Sequence, residues 1–521
     1  MQKLSGIDAM FLALDTSTTS GVVGQLLIYD RKGAPDGASR AAMRGHLLDR
    51  LDAIPPLRWR LREVPPRSGI KYWDNDPTFS IDDHLHEVDL PAPGTDAQLS
   101  AEVSRLMTVA LPLHRPPWDL TVIEGLAGGR VAHLLRLHHA LIDGGLMAQV
   151  TEILGDDSQH TPSPGSKKRQ SSGALPGVQS HPLTQTVSSA LAAPARAVSL
   201  QAELVGWLGK RALKDGFRSV PGLVARNLRD AAGMSARAAS STLRPEFGAD
   251  GRSGLAAAVP KVGRPLSALN GALTDRREYA FTPVSLTEVK RIGKAAGMTV
   301  NDVVTAMSAA AVRRYLSERG ELPSWPLTAV VAVSTRTGKE SPKWTNFVWM
   351  LLTPLPTDLE DPIARLKASH AGMKAAKATF DALPMGLLQS ASFFWPTPLM
   401  AAGTWLAARR EVAGHIPITP YNLTVSNVRG LAKPIRVTGA RVVGNYPVTF
   451  LPPGTGLGIT AVSYGDDLQF GVMTCPDLVP GAERLKGYLT DALAELGQAV
   501  EEHYPSGKGG SASAGSASGS R

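Results

Sequence analysis

The sequence predicts a mixed α/β protein, of the α/β or α+β class, with two domains. Stretches in which apolar and polar residues alternate as in strands are interleaved with stretches that keep helical spacing. At 521 residues the chain exceeds what one hydrophobic core usually organises. Because 43% of the residues are apolar and 19% are charged, the chain is expected to be globular and mostly folded, not fibrous or disordered.

The first domain is expected over residues 1–154. Its strand candidates are GVVGQLLIYD and RVAHLLRLHH, which are residues 21–30 and 130–139. Between them, TDAQLSAEVSRLMTVAL keeps helical spacing after Thr95 or Asp96, either of which can cap a helix. This mixture of strands and helices indicates the α/β class.

The middle of the chain is expected to connect the two domains. Residues 155–185 are rich in Ser, Pro and Gly and contain too few apolar residues for a core, so they predict a flexible linker. Residues 186–271 predict a helical connector and crossover, of which the part up to about residue 242 is Ala-rich and carries Lys and Arg.

The second domain is expected over residues 272–505, and a disordered tail rich in Gly and Ser is expected at 506–521. Its helical block NDVVTAMSAAAVRRYLSERG precedes strand candidates in LTAVVAVSTRT and NFVWMLLTPLP. Near the end, LGITAVSYGDDLQFGVMTC has two alternating runs about a Gly-Asp-Asp turn, which predicts a β-hairpin.

The chain is basic, with a net charge of +9 and a pI of about 9.6. Lys and Arg are spread along the sequence and aromatic residues make up only 6%, so a groove that stacks nucleic-acid bases is disfavoured. No nucleic-acid partner is expected. The basic residues either form an ordinary solvated surface or have a binding role. In the second case they would attract an anionic membrane face or a phosphate-bearing substrate.

The sequence offers no membrane-spanning segment and no export signal. No apolar run reaches the roughly 18 to 20 residues that a spanning helix needs. The nearest, residues 385–410, is interrupted by Pro396 and Pro398 and could line an apolar tunnel, rest on a membrane or pack in a core. The single Cys475 fits a reducing compartment and is expected to pack in a strand.

The chemistry is expected at HHALIDG, residues 138–144. On a strand that ends at residue 139, His138 and His139 point to opposite faces, so only one of them can enter a given pocket. His139 precedes a sharp turn and a helix expected to begin near Leu146, where irregular backbone can bring its imidazole against a substrate. His139 is therefore the preferred catalytic candidate.

The residues behind the histidines suit an open pocket. Gly144 and Gly145 have no side chains to obstruct a substrate beside His139. Asp143 either caps the following helix or pairs with a distant arginine, and both roles would fix the loop.

HHALIDG is similar to the His-His-x-x-x-Asp-Gly active-site motif of the CoA-dependent acyltransferase superfamily, which includes chloramphenicol acetyltransferase and peptide-synthesising condensation domains. Further segments resemble the bacterial wax ester synthase/diacylglycerol acyltransferase family, in that family's order and over nearly the whole chain outside linker and tail. They are LSGIDAMFLALDT, LPLHRPPWDLTVIEGL, LNGALTDRREYAF, TVNDVVTAM, VSTRT, TVSNVRG and GNYPVTFLPPGTGLGITAVSYGDDLQFG.

This resemblance implies two chloramphenicol-acetyltransferase-like domains with the active site in a tunnel between them. It implies that His139 is the general base that deprotonates an alcohol as it attacks an acyl-CoA thioester, a task suited to an imidazole pKa near 6.5. His138 would support the geometry, Asp143 would be structural and Gly144 would keep the pocket open. No covalent acyl-enzyme is implied, since both substrates can meet at His139 from opposite mouths of the tunnel. No cofactor is implied, because acyl-CoA is a co-substrate.

The implied product is triacylglycerol, wax ester or both. The partners are then acyl-CoA and an apolar alcohol, either diacylglycerol or a long-chain alcohol. Such acceptors lead us to expect a cytoplasmic protein attached peripherally to the inner membrane face or to lipid droplets. The developing oxyanion needs a donor, for which Asn301 of NDVV and Asn427 of SNVRG are candidates. A helix-cap role for Asn301 is an equal alternative.

Three alternatives remain at this stage. A condensation-type acyltransferase would take its acyl group from a carrier protein. A non-catalytic lipid-binding or scaffold protein could share the fold. A metal-dependent hydrolase could recruit His84 and His86 of DDHLH together with His138, His139 and Asp143, although we expect no metal site.

Overall fold

The computed structural model describes residues 2–63, 71–158, 264–334, 344, 346–381, 418–419 and 421–504. The predictions for the connector, for most of the linker, for segment 385–410 and for the tail lie outside these residues. All of the described residues belong to one compact unit of the chain.

The elements are numbered here in chain order. The described helices are α1 (Gly6–Ala13), α2 (Arg40–Arg50), α3 (Asp96–Leu106), α4 (Gly144–Leu154), α5 (Leu286–Ala296), α6 (Val300–Glu318), α7 (Pro362–Asp381) and α8 (Ala482–His503). The described strands are β1 (Gln2–Lys3), β2 (Val22–Asp30), β3 (Trp59–Glu63), β4 (Lys71–Asn75), β5 (Leu85–Asp89), β6 (Trp118–Leu126), β7 (Arg130–His138), β8 (Arg264–Pro265), β9 (Glu278–Ser285), β10 (Leu327–Ser334), β11 (Val348–Leu355), β12 (Ile418–Thr419), β13 (Leu423–Val428), β14 (Arg436–Val437), β15 (Ala440–Val448), β16 (Leu457–Tyr464) and β17 (Asp467–Thr474).

The first large sheet places the histidine motif at its end. Its described strands follow the order β14-β15-β2-β7-β6-β5. β2 and β7 are antiparallel, with Val22 opposite His138 and Asp30 opposite Arg130. The two predicted strands are thus confirmed to within one residue. Because His138 is the last residue of β7, His139 lies where the chain leaves the sheet.

Two strands of this first sheet come from far along the chain. β15 lies within the segment predicted as the second domain, yet it pairs antiparallel with β2, and β14 pairs with β15. The division into residues 1–154 and 272–505 treats each domain as continuous, whereas this sheet takes strands from both segments. A strand finds its partner by complementary faces and hydrogen bonding, which sequence distance does not restrict.

The second large sheet has the described order β11-β10-β13-β16-β17-β9. β16 and β17 form the predicted hairpin, connected by Gly465 and Asp466, and Gly465 has a φ of +57° that favours glycine in the turn. The described helices α5, α6, α7 and α8 contribute apolar residues to the core that covers one face of this sheet.

Alternation along β13 assigns its two faces. Leu423 and Val425 belong to the core under the helices. Val428, on the opposite face, lies against the start of α4, where a Cβ placed on Gly144 would be 3.1 Å from Val428 Cγ2. This second face of β13 therefore looks toward the histidine motif.

Among the described helices no single one is long and apolar enough to cross a membrane. The pair α5 and α6 passes that test together by length and composition, with a bend of 104° between them. Most residues of α6 are buried in the core under the second sheet, which accounts for its apolar composition.

Candidate active site

His138 has both ring nitrogens engaged. Its Nδ1 accepts a hydrogen bond from the Ala140 backbone N–H at 3.1 Å, so in the neutral ring the proton lies on Nε2. Nε2 donates to Asp15 Oδ2 at 3.0 Å, and the other Asp15 oxygen accepts the Gly21 N–H at 2.7 Å. Asp15 thus fixes both the orientation of His138 and the start of β2. The sequence analysis did not identify Asp15, although it lies within the quoted LSGIDAMFLALDT.

His139 is held by its backbone and leaves its ring available. Its N–H donates to the Gly21 carbonyl at 2.8 Å, and its carbonyl accepts from Asn346 Nδ2 at 2.8 Å. The ring stacks on Phe11 with centroids 3.9 Å apart and planes 14° apart. Phe450 approaches edge-on at 6.0 Å. Among the described residues no other residue forms a hydrogen bond with either ring nitrogen of His139.

The environment of His139 keeps its imidazole neutral. Burial lowers its pKa to about 4, while its own backbone carbonyl and the Asp143 carboxylate oppose the shift, and the neighbouring His138 adds to it. Nδ1 is buried without a partner in another residue. A neutral ring with its proton on Nδ1, next to its own carbonyl, presents the Nε2 lone pair. At pH 7 such a group can accept a proton without first losing one.

Asp143 caps helix α4, as one of the two predicted roles requires. Its Oδ1 accepts the Leu146 N–H at 2.9 Å, and the helix begins at Gly144. Its Oδ2 accepts the Phe347 N–H at 2.8 Å, a contact that spans 204 residues of sequence. Asp143 therefore ties the motif to the segment before β11. Pairing with an arginine stays a prediction.

Gly144 is where the motif approaches the second sheet. A Cβ at this position would lie 3.1 Å and 3.4 Å from the two methyl groups of Val428, closer than side chains usually pack. The glycine is needed here because a side chain would push α4 away from β13. This close contact is a second reason for a glycine at position 144, besides its predicted role of leaving space beside His139.

Asn346 connects three parts of the site and was not identified from the sequence. Its Nδ2 donates to Asp8 Oδ1 at 2.7 Å and to the His139 carbonyl. Asn346 is 4% exposed, and its buried Oδ1 has no hydrogen-bond partner among the residues that the structure describes. The contacts with Asp8 and His139 span 338 and 207 residues, so no local pattern could reveal them.

The two asparagines proposed as oxyanion donors fare differently. Asn301 is not the helix cap, because Thr299 caps α6 and forms a capping box with Asp302. The cap alternative for Asn301 was wrong because the helix begins at Val300, two residues earlier than that role requires. The backbone carbonyl of Asn301 accepts a hydrogen bond from Thr305 Oγ1. Its role as an oxyanion donor stays a prediction.

Alternation along β13 bears on Asn427, whose role as an oxyanion donor stays a prediction. Alternation puts it with Leu423 and Val425, under the helices, whereas Ser426 and Val428 share the face toward the histidine motif. The signal was present in LTVSNV, where apolar positions 423 and 425 assign position 427 to the core side.

The ligand set considered for a hydrolase does not assemble. Within the described ranges no three His, Cys, Asp or Glu residues are grouped so that they could hold a metal ion. His84 is buried, its Nδ1 bonds the Trp118 carbonyl at 2.7 Å, and its ring stacks on Phe79 and Trp118. His84 thus packs in the core of the first sheet.

A small open depression lies beside Phe450, one of the two aromatic neighbours of His139. Its lining mixes apolar and polar residues: Ser20, Val22, Met107, Arg277, Thr449, Phe450, Leu451 and Met473. Arg277 donates to the carbonyls of Thr18 and Thr274 at 2.5 Å and 2.7 Å. Arg277 is thus held by backbone carbonyls at the edge of this depression.

Known structures define the class of this fold. The first condensation domain of the calcium-dependent antibiotic synthetase is similar with a TM-score of 0.53 at 18% identity, covering 96% of this chain and 97% of that domain. At this identity the likeness concerns the fold alone. The chain has the predicted mixed α/β fold of chloramphenicol-acetyltransferase type, with two domains.

Sequence comparisons define the family. The model of the wax ester synthase/diacylglycerol acyltransferase catalytic domain matches residues 4–304, and that of the WS/DGAT C-terminal domain matches residues 344–497. A Mycobacterium tuberculosis protein assigned as a diacylglycerol O-acyltransferase is 34% identical over 502 residues, 95% of this chain and all of that protein. The structure of a wax ester synthase/diacylglycerol acyltransferase from Marinobacter aquaeolei VT8 is similar with a TM-score of 0.63 at 25% identity, covering 96% of this chain and 100% of that one. The chain belongs to the wax ester synthase/diacylglycerol acyltransferase family.

Proposed function

We propose that this protein transfers an acyl group from acyl-CoA to the hydroxyl of an apolar alcohol, with His139 as general base. One observation carries the assignment. Both nitrogens of His138 are hydrogen-bonded to the protein, whereas the ring of His139 is neutral and has no hydrogen bond to another described residue. Of the two histidines, only His139 can take a proton without breaking an existing contact.

In the proposed reaction His139 Nε2 removes the proton of the alcohol while the alcohol oxygen attacks the thioester carbonyl. A new C–O bond forms, and the carbonyl π electrons become an oxyanion. When the carbonyl re-forms, the C–S bond breaks and the CoA thiolate leaves. The proton on His139 returns to the sulfur, so the enzyme ends unchanged and no acyl-enzyme is needed.

The aromatic neighbours of His139 support this role. Phe11 covers one ring face and Phe450 approaches its edge, so the imidazole keeps one orientation in an apolar environment. Burial disfavours the imidazolium that forms when His139 takes the proton of the alcohol. The reaction therefore also needs a group that stabilises the developing oxyanion. Asn301 and Asn427 stay the predicted candidate donors for that oxyanion.

The proposed acceptors are diacylglycerol and long-chain alcohols, and the proposed products are triacylglycerol and wax esters. The relatives support this choice, because the M. tuberculosis protein is named for diacylglycerol and the Marinobacter structure for wax ester as well. We also propose that no cofactor takes part.

The test is release of free CoA from acyl-CoA by the purified protein, measured with and without acceptor. We expect acceptor-dependent thiol release with acyl chains of roughly C12 to C18, the range that an apolar tunnel would favour. His139→Gln should abolish this thiol release. His84→Gln, which replaces a buried histidine in the core of the first sheet, should not. Release with free acyl-CoA also argues against a carrier-bound donor, whereas absence of release with every acceptor would refute the proposal.

We further propose that the protein attaches peripherally to a membrane face or lipid droplet on the cytoplasmic side. Its acceptors are membrane-soluble, and its net charge of +9 would favour an anionic surface. In sedimentation assays at low salt, anionic vesicles should retain more protein than neutral vesicles. Protein that stays in the supernatant with both kinds of vesicle would contradict attachment.

A further inference from the structure

Asn346 donates two hydrogen bonds from its side-chain amide to groups of the candidate site. Both groups facing its Nδ2 are acceptors, Asp8 Oδ1 at 2.7 Å and the His139 carbonyl at 2.8 Å, which fixes the orientation of the amide. Its Oδ1 then remains buried with no partner among the described residues. Leaving a buried acceptor unpaired costs free energy, which the two bonds donated to Asp8 and His139 offset in part.

Helix α1 contacts His139 in two ways. Asp8 and Phe11 are three residues apart and share one face of α1. Phe11 stacks on the His139 ring, while Asp8 holds the amide that bonds the His139 carbonyl. The same helix therefore fixes the ring directly and the backbone through Asn346.

The backbone of His139 is held from both sides. Gly21 accepts its N–H, and Asn346 donates to its carbonyl. The next residue, Phe347, donates its N–H to Asp143 at the other end of the motif. Asn346 and Phe347 thus bond both ends of the turn that carries the proposed base.

We infer that Asn346 and Asp8 are positioning residues for His139, and that the charge state of Asp8 controls how firmly the His139 backbone is held. This inference rests on the proposed role of His139 as general base. We call Asp8, Asn346 and the His139 carbonyl the Asn346 clamp. An ionised Asp8 accepts a stronger hydrogen bond from Asn346 than a protonated one does, so protonation of Asp8 loosens the clamp.

The surroundings of Asp8 make this control relevant near neutral pH. Burial raises its pKa to about 6, opposed by hydrogen bonds from Ser5 and Asn346 and reinforced by the negative charge of Asp143. The other titratable groups on the facing motif are His138 and His139, and burial lowers the pKa of His139 to about 4. The acid side of the rate profile should therefore follow Asp8 and not the base itself.

The experiment measures kcat and KM for acyl transfer from pH 5 to 9. Wild-type kcat should fall below about pH 6. Asn346→Ala should lower kcat by about 10²-fold with little change in KM, because a slightly displaced base reacts slowly. Asp8→Asn keeps an oxygen facing Asn346 but does not titrate, so its kcat should not fall between pH 7 and pH 5.

Asn422→Ala is the matched control. Asn422 is also buried, accepts from the Thr328 N–H at 2.8 Å and donates to Asn270 Oδ1 at 2.8 Å in the second sheet. It should lower the melting temperature without moving the pH profile. Folded Asn346→Ala with kcat within twofold of wild type, or Asp8→Asn with the wild-type acid limb, overturns the inference.

A second measurement needs no turnover and uses a variant only to assign the signals. In wild-type protein with labelled histidine, the ring signals of His139, assigned with His139→Gln, should shift with an inflection near pH 6 while the ring remains neutral. No inflection between pH 5 and 7 would overturn the clamp. Because this titration uses no substrate, it stays informative if acyl transfer fails, and such a failure would count against the proposed function alone.

Discussion

Replacing each motif histidine by alanine should separate catalysis from stability. His139→Ala removes a ring that has no hydrogen bond to another described residue, so the main loss is its stacking on Phe11, about 0.5–1.5 kcal/mol. His138→Ala removes the bond to Asp15, about 1.5–3 kcal/mol, and leaves the Ala140 N–H without its partner at a further cost of about 1–3 kcal/mol. His138→Ala should therefore be the less stable protein.

The effects on rate should have the opposite order. Loss of a general base typically lowers the rate by about 10²- to 10⁴-fold, which raises the activation free energy by about 3–5.5 kcal/mol. His139→Ala should show this loss in kcat. His138→Ala leaves the base in place and only loosens the turn around it, so more activity should remain.

The assay pairs single-turnover acyl transfer with denaturant unfolding of the same preparations. We expect His139→Ala to unfold close to wild type and to be almost inactive, and His138→Ala to unfold earlier and retain more activity. A folded His139→Ala with a near wild-type rate, together with an inactive His138→Ala, would refute both the tautomer argument and the assignment of the base.

Three further predictions concern the surroundings of the motif. Gly144→Val should lower activity because its Cβ would lie 3.1 Å from a methyl carbon of Val428. Adding Val428→Ala to the same chain should restore part of the activity. If it restores none, this contact is not the cause of the loss. Asp143→Ala should lower the free energy of unfolding by about 2–4 kcal/mol, because it removes the helix cap and the buried bond to Phe347. It should also lower activity. An unchanged denaturation midpoint would contradict this prediction. Burial lowers the pKa of His133 to about 4 from 6.5, so its contribution to stability is complete above pH 6.5 and is lost as the pH falls toward 4. Wild type should lose about 2 kcal/mol at this site between pH 7 and 5, and His133→Gln should lose correspondingly less in urea unfolding at the two pH values.

Much of the local structure could be predicted from the sequence. The strands β2 and β7, the hairpin of β16 and β17 and the helix that begins after Asp143 follow from alternation, turn residues and capping, which depend on neighbours within a few positions. Thr95 caps α3, as one of the two predicted caps. The order of family-like segments likewise indicated the family to which the chain belongs.

Asn427 shows what alternation alone can assign. The motif SNVRG drew attention to the asparagine, but the alternation of LTVSNV already placed position 427 on the side of Leu423 and Val425. For Asn301, the alternative role as helix cap was wrong. Asn301 lies two residues after the true cap, Thr299, in the first turn of the helix. The exact end of a helix is the least certain part of a sequence pattern.

By itself, the sequence determined the α/β class, the strand that presents the two histidines and the preference for His139 over His138, because side-chain direction along a strand is a local property. Only the tertiary structure decided which groups surround His139. Phe11, Phe450 and Asn346 are separated from it by 128, 311 and 207 residues in the chain, and they meet it because β15 crosses to the first sheet and α1 packs under the motif. Burial by such distant groups, not the motif itself, keeps the His139 imidazole neutral, since desolvation depends on everything within a few ångströms and not on the neighbours in sequence.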